Sequence, residues 1–155
     1  MHNQTIVQLA LLEDITKLNI STNKYIYSAY SFTNTMISDI FENYIKPLIY
    51  KKFIKLHYLE TKNHYTNLKK PIIDNIIDDI KRSRLAIIDL TDHKNNVYFE
   101  AGIATTNYIP IIYTCHSSDY NKIAFDVNVN QVLEWNNSNI NKFMNELELL
   151  IISNL

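Results

Sequence analysis

The chain reads as an α/β protein built on one open, mainly parallel sheet of about five strands, with helices on both faces. Three observations lead there. Residues 85–90, Leu-Ala-Ile-Ile-Asp-Leu, form a nearly continuous apolar run, the mark of a strand buried on both faces. Residues 109–115, Ile-Pro-Ile-Ile-Tyr-Thr-Cys, form a second such run, with Pro110 tolerated only near its start. Strand-like and helical periodicities alternate four or five times, as crossover connections between parallel strands require. One domain of the flavodoxin or Rossmann kind over residues 1–155 accounts for this pattern.

The elements follow in order. Ile6, Leu9, Ala10, Leu12 and Ile15 are spaced for a helix over about 5–18, an N-terminal extension. Residues 24–29 are short and β-prone. Ser31 and Thr33 are candidate caps for a helix over 34–50 with Ile37, Ile40, Phe41, Tyr44 and Leu48 on one side, and Pro47 should kink or end it. Residues 53–58, Phe-Ile-Lys-Leu-His-Tyr, alternate like a strand, and a polar stretch over 59–70 follows. Pro71 suits the first turn of a helix over 71–83, whose apolar positions are Ile72, Ile73, Ile76, Ile77 and Ile80. After the central strand come a helix over 96–107, the strand at 109–115, a short strand at 131–135 and an amphipathic helix over 138–152.

Composition excludes several classes. The net charge of −1 and pI of about 6.5 offer no basic face for nucleic acid. No apolar run is long enough for a membrane helix, and Met1-His2-Asn3-Gln4 does not open a signal peptide, so a cytoplasmic location is expected. A single Cys115 rules out an internal disulfide and any multi-cysteine zinc site. The five histidines show no metal-ligand spacing, so no metal is expected. Gly102 is the only glycine, where average usage would give roughly eleven. That excludes a glycine-rich dinucleotide fingerprint, a Walker loop and a nucleophile elbow.

Ligands of such sheets bind at the carboxyl ends of the strands. The ends at Tyr27–Phe32, Asp89–Asp92 and Thr114–Ser117 are therefore the candidate rim. Glu100 is expected in the first turn of the following helix, where it either favours the positive end of the helix dipole or faces a ligand. Gly102 costs roughly 0.8–1 kcal/mol against alanine inside a helix, so close packing or ligand access should require it. Asp89, in an apolar strand end, needs partners: it caps the next loop or binds a ligand hydroxyl. Asn95 and Asn96 cap the helix or present amides to a substrate.

The run Asp89-Leu90-Thr91, then Asn95-Asn96-Val97-Tyr98-Phe99-Glu100-Ala101-Gly102-Ile103-Ala104, resembles the "DLT…NPNVYYELGIA" signature of nucleoside 2-deoxyribosyltransferase-like domains, relatives of prokaryotic TIR-like domains. Tyr30-Ser31-Phe32, Ile45-Lys46-Pro47 and Ala124-Phe125-Asp126-Val127 agree with flanking elements in order and spacing, so the resemblance covers roughly residues 24–135. Asn95 stands where the signature has proline and Ala101 where it has leucine. Ile76 falls where the family's transferases carry an aspartate, which favours hydrolysis over transfer.

The resemblance implies an enzyme that cleaves the N-glycosidic bond of a nucleoside, a nucleotide or NAD, as hydrolase or transferase. Glu100, in the "ELG" position, would be nucleophile or charge stabiliser. Tyr27, Ser28, Ala29, Phe32, Asp89, Thr91, Asn96, Tyr98 and Gly102 would bind substrate. No resident cofactor is implied, with NAD entering only as a substrate. The expected partner is a small-molecule nucleoside or nucleotide, and the expected assembly a homo-oligomer. The alternative is a non-catalytic nucleotide-sensing or TIR-like interaction module in a stress or antiviral defence system.

Overall fold

The computed structural model describes residues 23–60, 71–123 and 131–155. The helix expected over 5–18, most of the polar stretch 59–70 and the segment Ala124–Val127 lie outside these residues. Five parallel strands make one sheet: β1 (Tyr25–Ala29), β2 (His57–Glu60), β3 (Ser83–Asp89), β4 (Ile111–His116) and β5 (Val132–Trp135), in the order β2-β1-β3-β4-β5. The order reverses between β1 and β3, which opens a crevice at their carboxyl ends.

The pleat sorts the core into two layers. Tyr27, Ala29, Ala86 and Ile88 face α3 (Ile72–Lys81) and α4 (Asn95–Thr106), packing on Ile76, Ile80, Val97, Ala101 and Ala104. Ile26, Leu85 and Ile87 face the other way, onto α1 (Thr35–Ile40), α2 (Lys46–Lys52) and α5 (Ile140–Asn154) through Ile37, Ile40, Ile49, Phe143, Leu147 and Ile151. Helices thus cover both faces, as the alternation of patterns predicts.

Three local expectations need correction. Asn34, not Ser31 or Thr33, caps α1: its side-chain oxygen accepts from the amides of Met36 at 3.0 Å and Ile37 at 3.4 Å. Pro47 does not end the helix. A π-helical turn, Phe41–Ile45, precedes it, and α2 continues to Lys52. A proline ring clashes with the carbonyl four residues back, and a widened turn gives it room. The second strand begins at His57, not at residue 53. Phe53 closes α2 with a bond from its amide to Ile49, and the His57 amide meets Lys24 at the edge of β1.

The lone glycine is not where backbone freedom is needed. Asp92, His93 and Tyr108 take positive φ, at 66°, 49° and 59°, while no glycine does. Tyr108 occupies the left-handed position just past α4 that glycine usually fills, with its amide on Thr105 and that of Ile109 on Ala104.

Candidate functional site

A cavity of about 510 Å³ opens beyond the carboxyl end of β1, between the β1–α1 loop, α3 and the start of α4. The β1–α1 loop contributes Tyr30, Ser31, Phe32 and Thr33; α3 contributes Ile72, Ile73 and Ile76; the start of α4 contributes Lys94, Asn96, Phe99 and Glu100. Three segments distant in sequence thus converge on one crevice. One wall is apolar, from Phe32, Phe99 and the three isoleucines. Phe99 is 54% exposed, which leaves a ring face available to a planar ligand.

Glu100 lies in the second turn of α4, because the helix starts at Asn95 with Lys94 as its cap. The expected first-turn role is therefore corrected: the dipole effect falls off within the first turn. The second-turn position rotates the carboxylate inward, where it is 1% exposed and accepts a hydrogen bond from the Tyr27 hydroxyl at 2.8 Å. A carboxylate held by a strand residue and lining a cavity is oriented before any ligand arrives.

The loop between β3 and α4 braces this crevice. It carries a 3₁₀ turn, Thr91–His93, with Asp92 and His93 in the left-handed region. That conformation costs roughly 1–2 kcal/mol per residue for L-amino acids. Bonds around Asp92 offset it. The Asp92 carboxylate accepts from Ser31 Oγ at 2.9 Å and from Asn34 Nδ2 at 3.1 Å, and its amide donates to Asp119 at 3.2 Å. Lys122 pairs with Asp119 and holds its carboxyl below the usual aspartate range. The β1–α1 loop, with Phe32 at the cavity, is thereby tied to the loop that launches α4.

A second polar group backs the cavity behind Tyr30. Its ring stacks on Phe41 at 4.0 Å, and its hydroxyl donates to buried Glu60 at 2.9 Å. Lys46 neutralises that corner, reaching Glu42 at 3.2 Å and Glu60 at 3.5 Å. Burial, with the two carboxylates, pushes the Tyr30 phenol far above its ordinary pKa, so it stays protonated.

Of the residues expected to bind substrate, only Phe32 and Asn96 line the cavity beside Glu100. Tyr27 acts on Glu100 from the core. Ala29 is buried in the core, and Ser28 is buried on the opposite sheet face near Tyr58. Asp89 is enclosed: it accepts from the Thr91 amide at 3.0 Å, Thr114 Oγ1 at 2.7 Å and Trp135 Nε1 at 2.8 Å. Burial raises its pKa and these donors pull it back. It shares the face of Leu85 and Ile87, so it points away from Glu100. Thr91 is buried and accepts the His116 amide at 2.9 Å. Tyr98 turns to His93, with its hydroxyl 3.0 Å from Nδ1 and the two rings stacked. Asn95 and Asn96 do not cap α4, which has no side-chain cap. Gly102 is exposed, and a Cβ built there meets nothing within 4 Å among the described residues. No packing among the described residues requires it.

The cavity also holds residues absent from the expected substrate-binding set: Tyr30, Ser31, Thr33, Ile72, Ile73, Ile76, Lys94 and Phe99. The isoleucines read as core from their helical spacing, yet Ile72 and Ile73 are exposed at the cavity. Ile76 puts an aliphatic wall where the resemblance has an aspartate in the transferases. Cys115 takes no part: burial raises its thiol to about 12, which keeps it un-ionised. Among the described residues, no cluster of three or more His, Cys, Asp or Glu could hold a metal ion, and no helix is long and apolar enough to cross a membrane.

The fold and site define a class: a parallel α/β domain with a carboxylate-bearing crevice at the β1/β3 switch. Among solved structures, the chain is similar to a 2-desoxiribosyltransferase from Leishmania mexicana, at 18% identity and a TM-score of 0.51, over 66% of this chain and 75% of that one. At that identity the likeness shows a shared fold. No protein-family model matches the chain, and no curated protein matches it by sequence.

Proposed function

We propose that the chain cleaves the N-glycosidic bond of a nucleoside or nucleotide, with Glu100 as the catalytic residue. One observation carries the reading: the carboxylate that completes the signature lines the switch-point cavity, held by Tyr27 at 2.8 Å. Sugar chemistry fits the solved neighbour, a deoxyribosyltransferase by name.

In the proposed step, a Glu100 oxygen bonds to C1′ as the C1′–N bond breaks. The bonding pair leaves with the base nitrogen, which takes a proton from solvent. Positive charge develops on the sugar in between, and a carboxylate at that point stabilises it. Water then attacks C1′ and gives up a proton to solvent, the ester C–O bond breaks, and the carboxylate is restored. Phe32 and Phe99 offer faces on which a base stacks. The aliphatic Ile76 wall gives a second base little to hold, so water is the expected acceptor.

Chromatography of the protein incubated with nucleosides, nucleoside monophosphates and NAD tests the reading. Free base and free sugar should appear together for at least one of them, and the sugar mass should appear on the Glu100 peptide after an acid quench. Binding without any product would instead support the non-catalytic sensing module.

A further inference from the structure

We infer that the end of the sheet opposite the cavity is a docking surface for an anionic phospholipid bilayer, on which the protein sits peripherally. The net charge of −1 averages two unlike ends. Each crossover helix of a parallel sheet returns the chain to the amino ends of the strands, and here it returns with cations. α2 ends in Lys51 and Lys52, and α3 in Lys81 with Arg82 just beyond. Lys24 precedes β1, Lys55 lies two residues before β2, and Arg84 is the second residue of β3. Seven of the eleven Lys and Arg among the described residues thus share one end. The acids there are Asp78 and Asp79 of α3 and Glu148 of α5. Asp79 pairs with Arg82, and Glu148 with Lys52 at 3.2 Å. No described residue forms an ion pair with Lys24, Lys51, Lys55, Lys81 or Arg84. Residues 1–22, which precede this end in sequence, add only Lys17, Glu13 and Asp14 as charged side chains besides His2, which leaves it basic. The other four cations lie at the cavity end, among Glu42, Glu60, Asp92, Glu100 and Asp119.

The patch is compact. Tyr25 pairs with His57 on one side and with Ser83 on the other, so the residues entering β2, β1 and β3 stand about 5 Å apart, strand by strand. Lysines at helix carboxyl ends complement the helix dipole, which accounts for Lys51, Lys52 and Lys81. It does not account for Lys24, Lys55 or Arg84, which lie outside the helices, nor for Ile54. Ile54 sits in the turn between Lys52 and Lys55 and is 78% exposed. A groove of about 350 Å³ beside it carries Phe53, Leu56 and Leu155. A bilayer meets both features. Its anionic headgroups neutralise the cations, and its acyl boundary receives the aliphatic tip. A nucleic acid would neutralise the cations but has no aliphatic layer for Ile54. With the amino end on the bilayer, the cavity at the carboxyl ends of the strands stays open to solvent.

Co-sedimentation with vesicles of phosphatidylcholine alone, and of phosphatidylcholine with about one-third phosphatidylserine, tests the inference. Partitioning should be at least tenfold stronger onto the anionic vesicles and should weaken as salt is raised. Neither of those readouts needs a variant. Each lysine near such a surface is worth about fivefold in affinity, so Lys51→Glu combined with Lys55→Glu should weaken binding at least twentyfold. Ile54→Ser should weaken it several-fold at constant charge. Lys142→Glu, a charge reversal at the cavity end, should leave it unchanged, with thermal midpoints checked for every variant. No partitioning onto anionic vesicles, equal partitioning onto neutral ones, or an equal loss per substitution at Lys142 overturns the inference. Duplex DNA bound more tightly than the vesicles, with no effect of Ile54→Ser, assigns the cations to nucleic acid and overturns the lipid surface. None of these outcomes bears on Glu100 or on glycosidic cleavage.

Discussion

Asp89 and Glu100 belong to one strand–loop–helix unit, and both carboxylates are out of solvent. They point to opposite faces of the sheet. Asp89 meets a backbone amide, a threonine hydroxyl and an indole N–H, and its cage bonds the end of β3 to β4 and β5. Glu100 accepts the Tyr27 hydroxyl and lines a cavity. Both residues belong to the signature, yet only Glu100 lines the cavity. A buried acid surrounded by donors from three elements is a fastener.

Asp89→Asn is the sharpest way to break this contrast. Two of the donors, the Thr91 amide and the Trp135 indole, cannot reverse. Whichever way the new amide turns, its NH₂ faces an N–H. Leaving a buried donor unsatisfied costs about 1–3 kcal/mol. Denaturant unfolding should show that loss, while the activity of the folded fraction is retained. Lost activity at full stability would put Asp89 back in the site.

Gly102→Ala probes the same helix with a smaller effect. Gly102 follows Glu100 by two positions and faces outward. With open space at the added Cβ, alanine should stabilise the protein by about 0.5–1 kcal/mol through helix propensity. Thermal melts would read this, and base release should not change. Destabilisation, or a fall in rate, would mean that something does approach this glycine.

Much of the sheet was legible in the sequence. The runs at 85–90 and 109–115 fall on the two central strands because strands buried on both faces need no alternation. The strand at 53–58 was misplaced for the complementary reason. Phe53-Ile-Lys-Leu alternates, yet those residues form a turn that lets α2 descend before β2 pairs with β1 at His57. The direction of Asp89 was available from the period-2 pattern, since Leu85, Ile87 and Asp89 share a face. Of the two roles its strand-end position offers, the bond from the Thr91 amide matches loop capping. Glu100 as the candidate catalytic residue came from the signature, but its turn did not. The 3₁₀ segment with two left-handed residues sets where α4 begins, and neither Asp92 nor His93 announces positive φ as a glycine would. The cavity itself was the least legible part. Phe32, Ile72 and Lys94 meet only through tertiary packing, and local pattern carries no trace of that.

In the proposed reaction the Glu100 carboxylate performs the chemistry. Base release by Glu100→Gln, measured on protein whose unfolding midpoint matches the wild type, tests it most directly. Glutamine keeps the shape and can still accept the Tyr27 hydroxyl, but it loses the charge and the nucleophile. With Glu100 as nucleophile, the variant should be at least a thousandfold slower, about 4 kcal/mol of lost transition-state stabilisation. Release at the wild-type rate would contradict it.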